Sequence, residues 1–220
     1  MKLINGLPDF LIEASKRKRE EFKSAAKAAD IKPPHDPEIL SSLNQVFALS
    51  AFVADSCIRH PTVLNDLIGS GDLQRRYAPH AYADSLKSAL VCISEEDALI
   101  HILRRYRRRE MVRIAWRDLA GWADLSETVA DLSAFADACL EQSLALLYHW
   151  LCEKHGIPEA EDGSKQNLVI LGLGKLGARE LNFSSDVDLI FAYPRNGKTR
   201  GSSKSLSNDD FFTRLCRQLI

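Results

Sequence analysis

Two aspartates, Asp186 and Asp188, follow a glycine-rich turn in which Gly172, Gly174 and Gly177 spell G-x-G-x-x-G, within "LGLGKLGARELNFSSDVDLIF", residues 171–191. Residues two apart on an extended strand face the same way, about 7 Å apart along the chain. The spacing therefore predicts both carboxylates on one face, with Val187, Leu189 and Phe191 packing the other. Two bare carboxylates about 4 Å apart repel by up to about 4 kcal/mol at an effective dielectric near 20, and a divalent cation removes that penalty. Mg²⁺ is typically held by one or two carboxylates together with substrate phosphates and water. The glycine turn brings backbone N–H groups toward phosphate oxygens, and Lys175 adds a positive charge. Ser184 and Ser185, on the link between turn and acids, either hydrogen-bond phosphate or cap the turn, and capping is the preferred role for both.

The same glycines follow the apolar run Leu168–Leu171 and so match the dinucleotide fingerprint as well. That site needs a mostly helical crossover of a dozen or more residues to a parallel strand, with an acid at the strand's far end. Only Ala178 to Ser185 separate Gly177 from Asp186, and Asn182-Phe183-Ser184-Ser185 is poor helix interior. The spacing fails, and the pair of acids is the stronger signal.

The elements that must position this unit are mostly helices. Residues 9–155 read as one helix after another. Lys16–Glu21 is a charged, solvated face. Asp36 and Pro37 open a helix whose apolar positions are Leu40, Leu43, Val46, Phe47 and Val53. A helix from Ser94 runs to about Ala120, and a long one from about Leu132 to Lys154, closed by Gly156 and Pro158. "EAEDGSKQN" reads as a polar loop. Asn167–Leu173 is the first convincing strand and "VDLIFAY", 187–193, the second. "PRNGKTRGSSKSLSND" reads as a loop and "DFFTRLCRQLI" as a helix in which Asp209 and Asp210 cap the start. The fold class is α+β: a helical region, residues 1–158, followed by residues 159–220 as the start of a domain whose sheet the chain leaves incomplete.

Composition bounds the rest. A formal net charge of -1 offers no bulk attraction to nucleic acid or anionic membrane. Five scattered cysteines without C-x-x-C spacing read as buried reduced thiols, and no apolar run reaches the ~20 residues a bilayer requires. A cytoplasmic chain without signal peptide is expected. Arg104, Arg105, Arg107, Arg108, Arg109, Arg113 and Arg117 form a basic helix. It is either a solvated face paired with Glu110 and Asp118, or a surface on which Arg104 and Arg108 meet a nucleotide or an acidic partner. The apolar Ile102, Leu103, Met111, Val112, Ile114 and Trp116 read as core, and aromatic residues are not interleaved for base stacking.

At the glycine turn and D-x-D the sequence resembles the nucleotidyltransferase superfamily. "GLGKLGARELNFSSDVDLIFAY" is similar to the signature of the glutamine synthetase adenylyltransferase/deadenylylase family, and residues 101–141 resemble that family's segment upstream of it. The resemblance implies the beginning of a nucleotidyltransferase-type mixed sheet in residues 159–220. It implies Mg²⁺-assisted transfer of an adenylyl group, with Asp186 and Asp188 as catalytic and metal-holding residues. Gly172, Gly174, Lys175 and Gly177 would shape the phosphate pocket. "NFSSD" and the site's position within the first 200 residues imply the N-terminal, adenylyl-removing half of a bifunctional enzyme of nitrogen metabolism. That half would phosphorolyse adenylylated glutamine synthetase to ADP and free tyrosine. ATP, glutamine and a PII-type signal-transduction protein are further expected ligands or partners. The superfamily's third carboxylate has no candidate on a predicted strand, so the chain alone is expected to bind Mg²⁺ and nucleotide weakly and to turn over little. A nucleotidyltransferase with another substrate and a non-catalytic helical interaction module remain the alternatives.

Overall fold

The computed structural model describes residues 7–78 and 80–220. The described elements are helices α1 (Asp9–Ala28), α2 (Pro37–Leu49), α3 (Ala51–Arg59), α4 (Pro61–Gly69), α5 (Ala81–Leu90), α6 (Glu96–Leu119) and α7 (Leu125–His155). Strands β1 (Ile157–Ala160) and β2 (Val169–Gly172), the single turn α8 (Gly174–Gly177), strands β3 (Leu189–Ala192) and β4 (Gly197–Arg200), and helix α9 (Asn208–Leu219) complete the order. This is the α+β class expected, helices first and a small set of strands near the C-terminal end. β1 pairs with β4 and β2 with β3, both antiparallel. Among the described residues, no single helix is long and apolar enough to cross a membrane.

The chain divides into two compact units, one formed by Met1–Pro79 and Ile100–Asp131, the other by His80–Leu99 and Leu132–Ile220. In the first unit, Asp36 accepts from the backbone N–H groups of Glu38 and Ile39, and Pro37 occupies the first turn of α2. This is the cap the sequence implies. The helix ends earlier than expected because Ser50 caps a new one, accepting from Val53 N–H at 3.2 Å. Val53 therefore belongs to α3, and within α2 it is Ile39, not the 44 % exposed Leu40, that faces inward. Phe22, Phe47 and Trp116 meet edge to face at centroid distances of 5.9 and 6.1 Å. Leu43, Val46, Leu64, Leu67 and Val112 fill the space around them. Each fully buried side chain of this size contributes about 1.5–3 kcal/mol.

The basic helix takes on two roles. Arg109, Arg113 and Arg117, four residues apart on α6, turn inward, with Arg113 completely buried. Arg113 donates to the Asp72 carbonyl at 2.9 Å and to Asp131 at 3.0 Å, and lies over the Tyr77 ring, 3.4 Å from its centroid. Arg109 donates to Asp66 and Asp72, each at 2.6 Å, and Arg117 to Glu127 at 2.7 Å. These bonds fasten the segment after α4 to α6. They correct part of the expected solvated face paired with Glu110 and Asp118: Arg109 does pair with Glu110, but that pair is buried, and Asp118 accepts from Thr128. Burial works against ionisation of Asp72, but bonds from Arg109, Ser70 and Arg75 outweigh it and hold its carboxyl below the usual range.

α7 starts at Leu125, in the first unit and well before the expected Leu132, because Asp124 caps it through Glu127 N–H; the rest of the helix, from Leu132, belongs to the second unit. "EAEDGSKQN" and the 194–209 stretch are not plain loops. Ile157–Ala160 and Gly197–Arg200 pair across them, and Pro158 lies within β1. Gly197 is required there, since a Cβ would lie 2.0 Å from the Glu159 carbonyl. α9 is capped by Ser207, which accepts from Asp210 N–H at 3.0 Å, so Asp209 and Asp210 sit in its first turn and do not cap it. All five cysteines are free, but Cys92 is exposed and Cys57 alone is fully buried, its thiol pushed up to about 12 by burial.

Removing a partner from a buried ion pair costs about 3–5 kcal/mol. Arg113→Ala is expected to destabilise the first unit by that amount, and Arg105→Ala, on the exposed side, by under about 0.5 kcal/mol. Urea unfolding followed by tryptophan fluorescence measures both. The stability that Asp72 confers is complete above its unfolded value, near 3.8, and is lost as pH falls through its depressed folded value. Asp72→Asn should accordingly flatten the acid limb of the stability curve.

Candidate functional site

β2 and β3 run antiparallel in the register Val169↔Ala192, Ile170↔Phe191, Leu171↔Ile190 and Gly172↔Leu189. The pairing continues one residue further, where Leu173 N–H donates to the Asp188 carbonyl at 2.9 Å. Asp188 therefore lies directly across from the residue that opens the glycine turn, and Asp186 two residues earlier. An antiparallel return excludes the dinucleotide arrangement, which needs a parallel one. The strands are shorter than expected: β2 covers 169–172 and β3 begins at Leu189, leaving both aspartates in the segment that leads into it. Leu189 and Phe191 are partly buried while Ile190 is 47 % exposed, which matches the expected alternation. Val187 departs from it, at 39 % exposed.

The three glycines have separate reasons. Gly174 has φ +55°, a left-handed conformation that disfavours a side chain, with open space around its missing Cβ. Gly177 must be small, because a Cβ there would lie 2.4 Å from the Gly172 carbonyl. A Cβ on Gly172 would press on the Leu176 side chain at 3.0 Å. Leu176, buried at 5 % exposure, plugs the turn from inside, while Lys175 is exposed. The chain then turns through Arg179 at φ +60°. It is pinned where Leu181 N–H donates to Ser133 Oγ of α7 at 3.2 Å, and Arg179 reaches Asp137 at 3.6 Å.

Asn182 organises the remaining link. Its side-chain oxygen accepts from Ser185 Oγ at 2.6 Å and from Ser184 N–H at 3.3 Å. The Ser185 hydroxyl is thus committed to the turn, whereas Ser184 takes part through its backbone and is exposed. Neither Asn182 nor Ser133 was singled out in sequence. Asn182, with serines two and three residues further on, carries an Asx-turn signal, but Ser133 is linked to the site only through space.

Asp186 and Asp188 are exposed, and among the described residues neither has an ion-pair partner. Two carboxylates without an ion-pair partner among the described residues are hard oxygen donors of the kind that suits Mg²⁺. Among the described residues, no three His, Cys, Asp or Glu side chains come together. The one acid on a described strand, Glu159 of β1, belongs to the other strand pair and is ion-paired with Arg200 at 3.3 Å. Arg104 and Arg108 belong to the first compact unit and the two aspartates to the second.

A strand, a glycine turn and a short antiparallel return carrying D-x-D is the unit of the nucleotidyltransferase class. Residues 40–220 match the model of one family, described as glutamate-ammonia ligase adenylyltransferase, and the chain belongs to that family. It is 48% identical over 99% of its length to the bifunctional glutamine synthetase adenylyltransferase/adenylyl-removing enzyme of Nitrosococcus oceani. To the proteins of the same description from Pseudomonas aeruginosa and Shewanella loihica it is 42% and 43% identical, over 97% and 87% of its length. The chain spans about a fifth of the length of these relatives, 22%, 22% and 20% respectively.

The contact at Gly177 predicts the more damaging substitution. Gly177→Ala should force the turn away from Gly172 and cost about 1–3 kcal/mol, the usual range for overpacking. Gly174→Ala, strained only in its backbone, should cost about 1–2 kcal/mol. Hydrogen exchange at the Leu173 amide distinguishes them: its protection should fall in Gly177→Ala and persist in Gly174→Ala.

Proposed function

We propose that this chain carries the adenylyl-removing site of a bifunctional enzyme, where AMP is taken from a modified tyrosine of glutamine synthetase by phosphorolysis. The observation that carries the reading is the Leu173–Asp188 backbone bond, which sets a D-x-D pair beside a glycine turn. In the reaction, a phosphate oxygen forms a bond to the α-phosphorus of the adenylyl group as the bond to the tyrosine oxygen breaks. The proton from phosphate goes to the departing phenolate, and the products are ADP and free tyrosine. Asp186 and Asp188 would hold Mg²⁺, which when bound would supply charge neutralisation for the in-line displacement. The turn at Gly172, Gly174 and Gly177 admits the phosphates close to the backbone, and exposed Lys175 adds a cation at the rim. Ser184 is the one link hydroxyl left to reach phosphate, Ser185 being held by Asn182.

Removal, as opposed to attachment, is supported by the likeness of "NFSSD" to the adenylyl-removing half. In this reading residues 159–220 begin the catalytic domain and residues 1–158 are a helical region that precedes it in the chain. The third carboxylate comes from further along the whole protein. The setting is cytoplasmic nitrogen regulation, with ATP, glutamine and a PII-type protein among the ligands and partners.

Asp186→Asn and Asp188→Asn in the whole protein should each lower ADP release from adenylylated glutamine synthetase and phosphate by at least about a thousandfold. Attachment of AMP from ATP should survive. Full phosphorolysis in both variants would leave the helices as a binding module, and loss of attachment alone would reverse the assignment of direction.

A further inference from the structure

The four-residue ladder on α6 leaves other arginines behind. Arg109, Arg113 and Arg117 are all ion-paired, but among the described residues Arg104, Arg107 and Arg108 pair with no carboxylate. These three line a pocket of about 420 Å³ together with Phe52, Asp55, Ser56, Arg59 and His60 of the α3 segment. Arg59 is likewise unpaired. The only carboxylate in the lining, Asp55, is engaged by Lys18 at 2.8 Å and so does not neutralise them. Four guanidinium groups around one concavity repel one another, and that repulsion is relieved by an anion. A merely solvated basic face spreads its charges over a convex surface, whereas these line one concavity from two helices.

We infer that this pocket binds a phosphorylated small molecule. A planar guanidinium fork matches phosphate oxygens two at a time, which makes arginine the residue suited to this anion. The volume lies within the ~300–1,000 Å³ range of small-molecule sites and is small for a folded protein segment. Phe52, 46 % exposed, adds one flat apolar wall against which a planar group can lie. Burial, with Arg108 and Arg59 nearby, holds the His60 imidazole below its usual range. A neutral imidazole in this setting has an N–H to donate. The charged groups that line the pocket with it are Arg59, Arg104, Arg107, Arg108 and the Lys18-bound Asp55, of which Arg108 and Arg59 act on the imidazole. The site belongs to the first compact unit and does not depend on the reaction proposed at Asp186 and Asp188.

Calorimetric titration of the whole protein with inorganic pyrophosphate and with ATP, both without magnesium, tests this. The background is Asp186→Asn/Asp188→Asn, which silences the D-x-D site. Arg104→Glu/Arg108→Glu should weaken binding of both probes by at least about tenfold. Arg105→Glu, a single charge reversal outside the pocket, should alter it by less than about twofold. Phe52→Ala separates the sources: a loss for ATP alone assigns a nucleotide, and an equal response of both probes assigns a ligand read through its phosphates only. Should the double reversal fail to fold, Arg59→Gln and the His60 ring resonances replace it, the ligand raising the pH at which His60 titrates. Equal affinity in all variants, no binding of either probe, or a His60 titration unmoved by the probe overturns the assignment. So does binding restricted to acidic peptides, which would make the pocket a protein-docking surface.

Discussion

The candidate site depends on the direction in which one strand returns. The chain leaves β2 at Gly172, and eleven residues after Gly177 it is back alongside as an antiparallel partner, with Asp188 bonded to Leu173. A link this short permits no parallel crossover. Every other property of the site follows from that return. The glycines have to fold the turn tightly enough to clear the Gly172 carbonyl, the Asn182 side chain has to reverse the link, and Ser133 has to hold Leu181 against α7. The acids then arrive at the mouth of the turn without a partner of their own.

A comparable constraint shapes the first compact unit. Buried arginine is tolerated only where its charge and its donors are satisfied, and α6 brings three such groups inward at four-residue spacing. Their partners are drawn from α4, the segment after it and the start of α7, so that Asp66, Asp72, the carbonyl of Asp72, Glu127 and Asp131 are all committed. The Phe22–Phe47–Trp116 cluster supplies the apolar contribution, and the arginines fix where the connecting segment lies against it. Arg104, Arg107 and Arg108 are left without a carboxylate partner among the described residues, which is what gives the pocket beside Phe52 its unbalanced charge.

Much of the site was legible in local sequence because its parts are short-range. The D-x-D spacing, the insufficiency of the link for a crossover and the glycine turn each depend on residues within about twenty positions, whereas the separate reasons for the three glycines depend on where Gly172 and Leu176 lie in the fold. Helix starts at Asp36 and Ser50 are also local, yet the sequence reading joined α2 and α3, since the apolar spacing continues across Ser50 and the break rests on one hydroxyl. The strand pair β1–β4 was missed for a different reason. Its partners lie about forty residues apart, one contains a proline and the other reads "GKTR", so neither has the β-branched, alternating pattern by which strands are recognised. The basic helix was visible as charge, but not as two groups with opposite fates.

Sequence alone thus determined the α+β class, the caps that start α2 and stop α7, the rejection of a dinucleotide turn and the two carboxylates with their glycine turn. These depend on backbone sterics and on spacing along one stretch of chain. Only tertiary structure decided which arginines are buried and which remain unpaired, that Ser185 serves the turn while Ser184 stays free, and that Ser133 anchors the approach to the acids. Those outcomes depend on which distant groups arrive within about 3 Å, and a hydrogen bond or ion pair of that range leaves no trace in the order of residues.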